Sequence, residues 1–84
     1  MNVSVTERGW THSRYWQDTD HAMRRKVNAL VKECQRRPLE GTGKPDPRKG
    51  DLSGFWSRRI NRVHRLVYRV TDSALETVQC RYHP

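Results

Sequence analysis

The sequence predicts a single α+β domain in which two N-terminal helices pack on one face of a small antiparallel β-sheet. Three observations carry that expectation. Met23, Val27, Leu30, Val31 and Cys34 recur at the spacing of one buried helical stripe. Leu52 to Val70 alternates aromatic and β-branched residues with arginine, as strands do, and breaks at Asn61, Arg62 and Val63. The chain has 84 residues, enough for one modest core, so residues 1–84 are read as one unit.

Taken in order, Asn2 to Val5 alternates and suits a short edge strand. Thr6 is placed to cap a helix whose first turn carries Glu7, where the helix dipole favours an anion. Trp10, Ser13, Trp16 and Gln17 form one side of that helix, with Tyr15 beside it. Thr19-Asp20 interrupts, and Asp20 can cap the second helix, which carries the Met23–Cys34 stripe. Arg36 and Arg37 suit its C-terminal end, and Pro38 stops it. Leu39 to Asp51 holds two prolines, three glycines and three cations, and reads as a loop. A strand pair follows, then a turn at Thr71-Asp72-Ser73-Ala74 and a last strand from about Leu75 to Tyr82.

Composition narrows the function. Seventeen Lys and Arg against nine Asp and Glu give a net charge of +8 and a pI near 10.3. A polyanionic partner follows: nucleic acid first, an anionic membrane surface or acidic protein next. Only 33% of residues are hydrophobic and mean hydropathy is −1.05, yet three Trp, three Tyr and one Phe can anchor a core, which argues against disorder. The opening residues lack the apolar run of a signal peptide, and no stretch could span a bilayer. Cys34 and Cys80 do not make a disulfide framework, so the expectation is a reducing cytoplasm and two buried thiols. The four histidines and two cysteines show none of the paired spacings of a zinc site.

Register concentrates the charge. With the turn at residues 61–63, Ile60 pairs with His64, Arg59 with Arg65 and Arg58 with Leu66. Two like charges opposite each other are unfavourable, and an anion between them relieves the repulsion; the alternative is a solvated outer face. An odd-length loop before the last strand puts Leu66, Tyr68 and Val70 with Val78, Cys80 and Tyr82 as the apolar face. The outer face then holds Arg59, Arg65, Arg69, Gln79, Arg81 and His83. In the loop, Pro45 and Pro47 push Asp46 toward an extended backbone. Flanked by Lys44, Arg48 and Lys49, it is either a turn residue or a pre-positioned base. His83 is either a solvated chain end or an imidazole whose protonated form is restored when phosphate binds beside the arginines.

Several motifs resemble a known family. Gly41-x-Gly-Lys-Pro-x-Pro47, Leu52-Ser-Gly-Phe-Trp-Ser-Arg-Arg-Ile60, His64-Arg-Leu-Val-Tyr68, Cys80-Arg-Tyr-His83 and Tyr15-Trp-Gln-x-Thr-Asp20 are similar to those of the YoeB toxins of the RelE superfamily. The resemblance spans essentially the whole chain. It implies a RelE-like fold similar to microbial ribonucleases and cleavage of mRNA in the ribosomal A site. A YefM-like antitoxin would neutralise the activity, and operator DNA would be bound only as a complex with that antitoxin. On the family pattern, Asp46 is the base, Arg65 the catalytic arginine and His83 the acid. Lys49 and Arg59 match basic positions that contact the substrate, Pro84 falls where the family has a site Tyr, and Lys44 and Arg81 are the further RNA-binding candidates.

The implied chemistry is attack by the 2′-hydroxyl, which calls for no metal and no cofactor. Two positions depart from the family pattern. Asp46 stands where Glu is usual, which shortens the reach by one methylene, and Pro84 stands where the chain usually ends in Tyr. A second reading is therefore a weakened or inactive member acting through antitoxin binding and operon co-repression. A DNA-binding protein acting alone is a third, but no helix-turn-helix pattern is present.

Overall fold

The computed structural model of the chain describes residues 2–48 and 54–81. A first strand, β1 (Asn2–Val5), leads into α1 (Glu7–Thr19) and α2 (His21–Arg36). Four strands follow: β2 (Asp46–Pro47), β3 (Trp56–Arg59), β4 (Arg65–Val70) and β5 (Ala74–Gln79). The sheet order is β1-β5-β4-β3-β2. The antiparallel sheet is present from β2 to β5, and β1 adds to its edge parallel to β5. Two helices on a five-stranded sheet make the α+β fold expected from the sequence.

Both helix starts follow from their caps. The Thr6 hydroxyl accepts from the Gly9 N–H at 3.1 Å and donates to the Val78 carbonyl at 3.2 Å, so the cap also ties α1 to β5. Asp20 accepts from the Met23 N–H at 3.1 Å. The second stripe is core as expected: Met23, Val27, Leu30 and Cys34 are buried, and Val31 packs against them.

In α1 the buried side is Gly9, Ser13 and Trp16, while Trp10 is 55% exposed. The expected stripe is thus corrected at both ends: Gly9 takes the place of Trp10, and Gln17 is exposed. Gly9 sits where α1 meets β5, and a Cβ there would lie 2.7 Å from the Thr77 carbonyl oxygen. Only hydrogen fits, so the bulky neighbour turns outward. Trp16 is the anchor of this helix. Its Nε1–H donates to the Cys80 carbonyl at 2.8 Å, and its ring meets His64 edge-on at 4.7 Å.

The β3–β4 hairpin has the expected register, with Arg59 opposite Arg65 and Arg58 opposite Leu66. The Ile60 N–H donates to the His64 carbonyl at 3.0 Å. The β4–β5 register differs near the turn. Val70 pairs with Leu75 and Tyr68 with Thr77, the even-loop arrangement; an irregularity between Val67 and Tyr68 then brings Val67 opposite Gln79. One extra residue, Val78, is absorbed by this bulge, which restores the odd register for the strand end. Leu75 and Thr77 therefore replace Val78 on the inner face, while Cys80 is buried as expected.

The segment read as loop contains β2, another correction. Asp46 and Pro47 pair with Ser57 and Trp56. The two prolines already hold this dipeptide extended, and an edge strand tolerates proline because one of its sides needs no ladder bond. The core joins Trp16, the α2 stripe, Ile60, Leu66, Tyr68, Leu75 and Cys80. Cys34 and Cys80 are free and buried. Among the described residues, no helix is long and apolar enough to cross a membrane.

Candidate functional site

The candidate site is built on the outer face of β2, β3 and β4, and a buried arginine holds its loop. Arg58 faces inward, opposite Leu66, and is fully buried. Its guanidinium donates to the carbonyls of Arg37, Glu40 at 2.8 Å and Thr42 at 3.3 Å. Its Nε–H donates to the Tyr68 hydroxyl at 3.2 Å, and that hydroxyl donates to the Pro38 carbonyl at 2.5 Å. Glu33 lies 3.7 Å from the guanidinium and accepts from the Thr42 N–H at 2.9 Å. The bonds from Thr42, then the charges of Arg58 and Arg37, hold the Glu33 carboxyl below its ordinary range. Burial pushes the Tyr68 phenol up, so it remains a neutral donor.

The chain between α2 and β2 is thereby laced to the sheet before it reaches Asp46. The Arg59 N–H adds a bond to the Gly43 carbonyl at 2.8 Å. Gly43 has φ +86°, and a Cβ would meet the Arg59 carbonyl oxygen at 2.8 Å, so this contact requires glycine. Lys44 follows with φ 52°, a left-handed conformation uncommon outside glycine, asparagine and aspartate, and its residue is exposed. The Arg48 N–H then donates to the Phe55 carbonyl at 2.8 Å, closing the β2 end of the loop.

On this support, Asp46 is exposed and directly opposite Ser57. Opposed residues of antiparallel strands share a face. Ser57 is buried, and its hydroxyl accepts from Arg65 Nη1 at 3.0 Å. Arg59 lies on the same face, exposed and opposite the half-buried Arg65. The structure thus brings together Asp46, Arg59 and Arg65, with Lys44 on the adjoining loop.

Other cations of the expected outer face are engaged elsewhere. Arg69 pairs with Glu76 at 2.9 Å and lies over the Phe55 ring at 5.3 Å. The Arg81 guanidinium lies 3.5 Å from the centre of the Tyr15 ring, at α1, and so departs from the arginine face expected for it. β5 ends at Gln79, and beyond a strand end the alternation of faces lapses. Here the Cys80 N–H donates to His12 Nδ1 at 3.2 Å. Burial, then Arg81 and Arg8, lower the pKa of His12. Burial, then Arg81, lower that of His64. Lys49, His83 and Pro84, expected at the site from the sequence, lie outside the described residues.

Two residues that organise the site were missed by reading the sequence. Ser57 shares the parity of Arg59, so the hairpin register could have placed it beside Asp46. Arg58 was legible in the same way, since its partner Leu66 belongs to the apolar face; its charge argued the other way.

Comparison with known proteins agrees with this architecture. Residues 5–84 match the family model described as a YoeB-like toxin of bacterial type II toxin–antitoxin systems. Toxin YoeB of Escherichia coli K12 is 52% identical over 99% of both chains. The YoeB/ParE toxin from Agrobacterium tumefaciens superposes with a TM-score of 0.97 at 46% identity, covering 100% of both chains. A YoeB–YefM complex from Staphylococcus aureus contains a chain similar at a TM-score of 0.91 and 39% identity, covering 100% of this chain and 98% of that one. A family match over nearly the whole length, close sequence relatives and the same fold lead to one conclusion: this chain belongs to the YoeB family of bacterial toxins.

Proposed function

We propose that this toxin is a ribosome-dependent endoribonuclease that cuts mRNA in the A site and is neutralised by a YefM-like antitoxin. The observation that carries this reading is the register across β2, β3 and β4. It sets a carboxylate, Asp46, on the face of two opposed arginines, with the buried Ser57 hydroxyl bonded to one of them. In the proposed chemistry Asp46 removes the 2′-hydroxyl proton and the freed oxygen attacks the adjacent phosphorus. The bond from phosphorus to the 5′ oxygen breaks, and His83 gives that oxygen its proton. Arg65 compensates the charge growing on the non-bridging oxygens. The products are a 2′,3′-cyclic phosphate and a free 5′-hydroxyl.

Lys44, Lys49, Arg59 and Pro84 are the remaining RNA contacts in this reading. Operator DNA is bound only in company with the antitoxin, and the place of action is the cytoplasm. The ribosome holds the message in reactive geometry, which supplies much of the acceleration. The test is cleavage of a programmed mRNA on ribosomes, with 5′ ends mapped for the native chain, Arg65→Ala and His83→Ala. A cut in the A-site codon that both variants lose is expected. No cut from folded native protein would overturn the nuclease reading in favour of antitoxin binding alone. A cut that survives in His83→Ala would remove His83 from the mechanism.

A further inference from the structure

The tip of the β3–β4 hairpin carries a cation that the cleavage chemistry leaves unused. Asn61 Oδ1 accepts from the N–H groups of Val63 at 2.9 Å and His64 at 2.8 Å. Together with the bond from Ile60 to His64, this fixes the turn from which Arg62 projects. Arg59, Asn61, Arg62 and Arg65 line one cavity of about 240 Å³. Among the described residues, neither Arg59 nor Arg62 has a carboxylate within ion-pair distance. Three arginines therefore line a single cavity, and the positive charge that Arg59 and Arg62 bring to it favours an anion there.

The position of the cavity matters as much as its charge. Asp46 stands level with Ser57. Arg59 is two residues further along β3, about 7 Å at the usual rise of a strand, and the turn lies beyond it. A phosphate held between Arg65 and Asp46 would leave the Arg62 side of the cavity open, about one nucleotide away. Guanidinium is suited to such a ligand because its planar fork of N–H groups matches phosphate oxygens in pairs.

We infer that this cavity is a second phosphate subsite, which takes the phosphodiester next to the scissile one, with Arg62 as its distinguishing ligand. The inference rests on the cleavage reading in taking the anion to be RNA. The probe is a fluorescent hexanucleotide of RNA with 2′-O-methyl sugars, which has no nucleophile and cannot be cut. Its affinity for the full chain is measured by anisotropy across a potassium chloride series, for the native protein, Arg62→Ala and Arg62→Lys. Arg62→Ala should weaken binding several-fold at low salt. It should also lower the slope of log affinity against log salt by about 0.7, one phosphate contact on a single strand. Arg62→Lys should retain the slope. An Arg62→Ala slope equal to the native one, or no binding by the native chain, overturns the subsite. A lost slope in a protein that cuts no ribosome-bound mRNA would support the subsite while overturning the cleavage reading.

Discussion

Replacing Arg58 by methionine removes a buried charge while keeping most of the stem that packs beside Tyr68, whose ring centre lies 5.8 Å from the guanidinium carbon. Three backbone carbonyls, of Arg37, Glu40 and Thr42, lose their donor. Each costs about 1 kcal/mol where water reaches it in part. Relief of the desolvated cation offsets some of that, because exchanging a buried ion for an apolar side chain is often close to neutral. A net loss of about 1–3 kcal/mol is expected, against a total stability of roughly 5–15 kcal/mol for a domain of ordinary stability.

Arg58→Ala adds a cavity and should cost about 3–5 kcal/mol, enough to leave the domain marginal. Urea unfolding gives the totals. Amide hydrogen exchange gives the location: protection at the Thr42 and Arg59 N–H groups, bonded to Glu33 and Gly43, should fall before that of the β4–β5 ladder. Cleavage in Arg58→Met should drop as the Asp46 loop loosens, since a displacement of about 1 Å can cost on the order of a hundredfold. A methionine variant with unchanged exchange at Thr42 and Arg59 would refute the idea that Arg58 holds this loop.

Further expectations follow from other parts of the chain. Pro84→Tyr should raise the cleavage rate on ribosomes by restoring the aromatic chain end of the family pattern; an unchanged or lower rate counts against it. Gly9→Ala should destabilise by about 1–3 kcal/mol, because the added methyl overpacks against the Thr77 carbonyl and α1 must move off β5; a higher urea midpoint would contradict the close approach. The folded-state pKa of His12 is lowered by burial, then by Arg81 and Arg8, so below the ordinary value of 6.5 the unfolded chain takes up the proton first. Its stabilising effect is thus complete above that value and declines as pH falls toward the folded one. His64 acts in the same direction, and unfolding curves of His12→Gln should show a shallower decline between neutral and mildly acidic pH than the native chain.

What could be read from the sequence was local. Thr6 and Asp20 cap their helices through their own side chains, the α2 stripe needs only a period, and the hairpin register follows once the turn is placed. What could not be read depended on distant partners. Gly9 displaces Trp10 from the core because a carbonyl of β5 lies against it, a contact separated by most of the chain. The bulge at Val78 is invisible to alternation, since a slip and its repair within one strand leave both ends looking regular. β2 is two residues long and pairs only because Arg58 and Gly43 deliver it to the edge of β3. Arg81 departs from the expected face because Tyr15 offers it a ring. At the site, Asp46, Arg59 and Arg65 were named from the sequence and so was the pairing of the two arginines; what brings Asp46 beside them was not.

Ser57, Arg58 and Arg59 show how that supporting arrangement is made. Alternation along β3 sends the middle residue inward and the outer two to the same face. Arg58 therefore enters the core, where carbonyls of the α2–β2 connection satisfy its donors, and Arg59 stays outside as a cation opposite Arg65. Two adjacent arginines thus serve opposite purposes, one neutralised in effect by internal acceptors and one left for an external anion. The buried charge and the exposed one are linked through the backbone, because the Arg59 N–H holds Gly43, three residues before Asp46. Exchange of Arg58 for a neutral residue would be felt at Asp46 without changing any group that faces the substrate. Exchange of Arg59 would remove the facing charge while leaving its N–H bonded to Gly43. The two substitutions therefore separate the placing of the carboxylate from the binding of the phosphate.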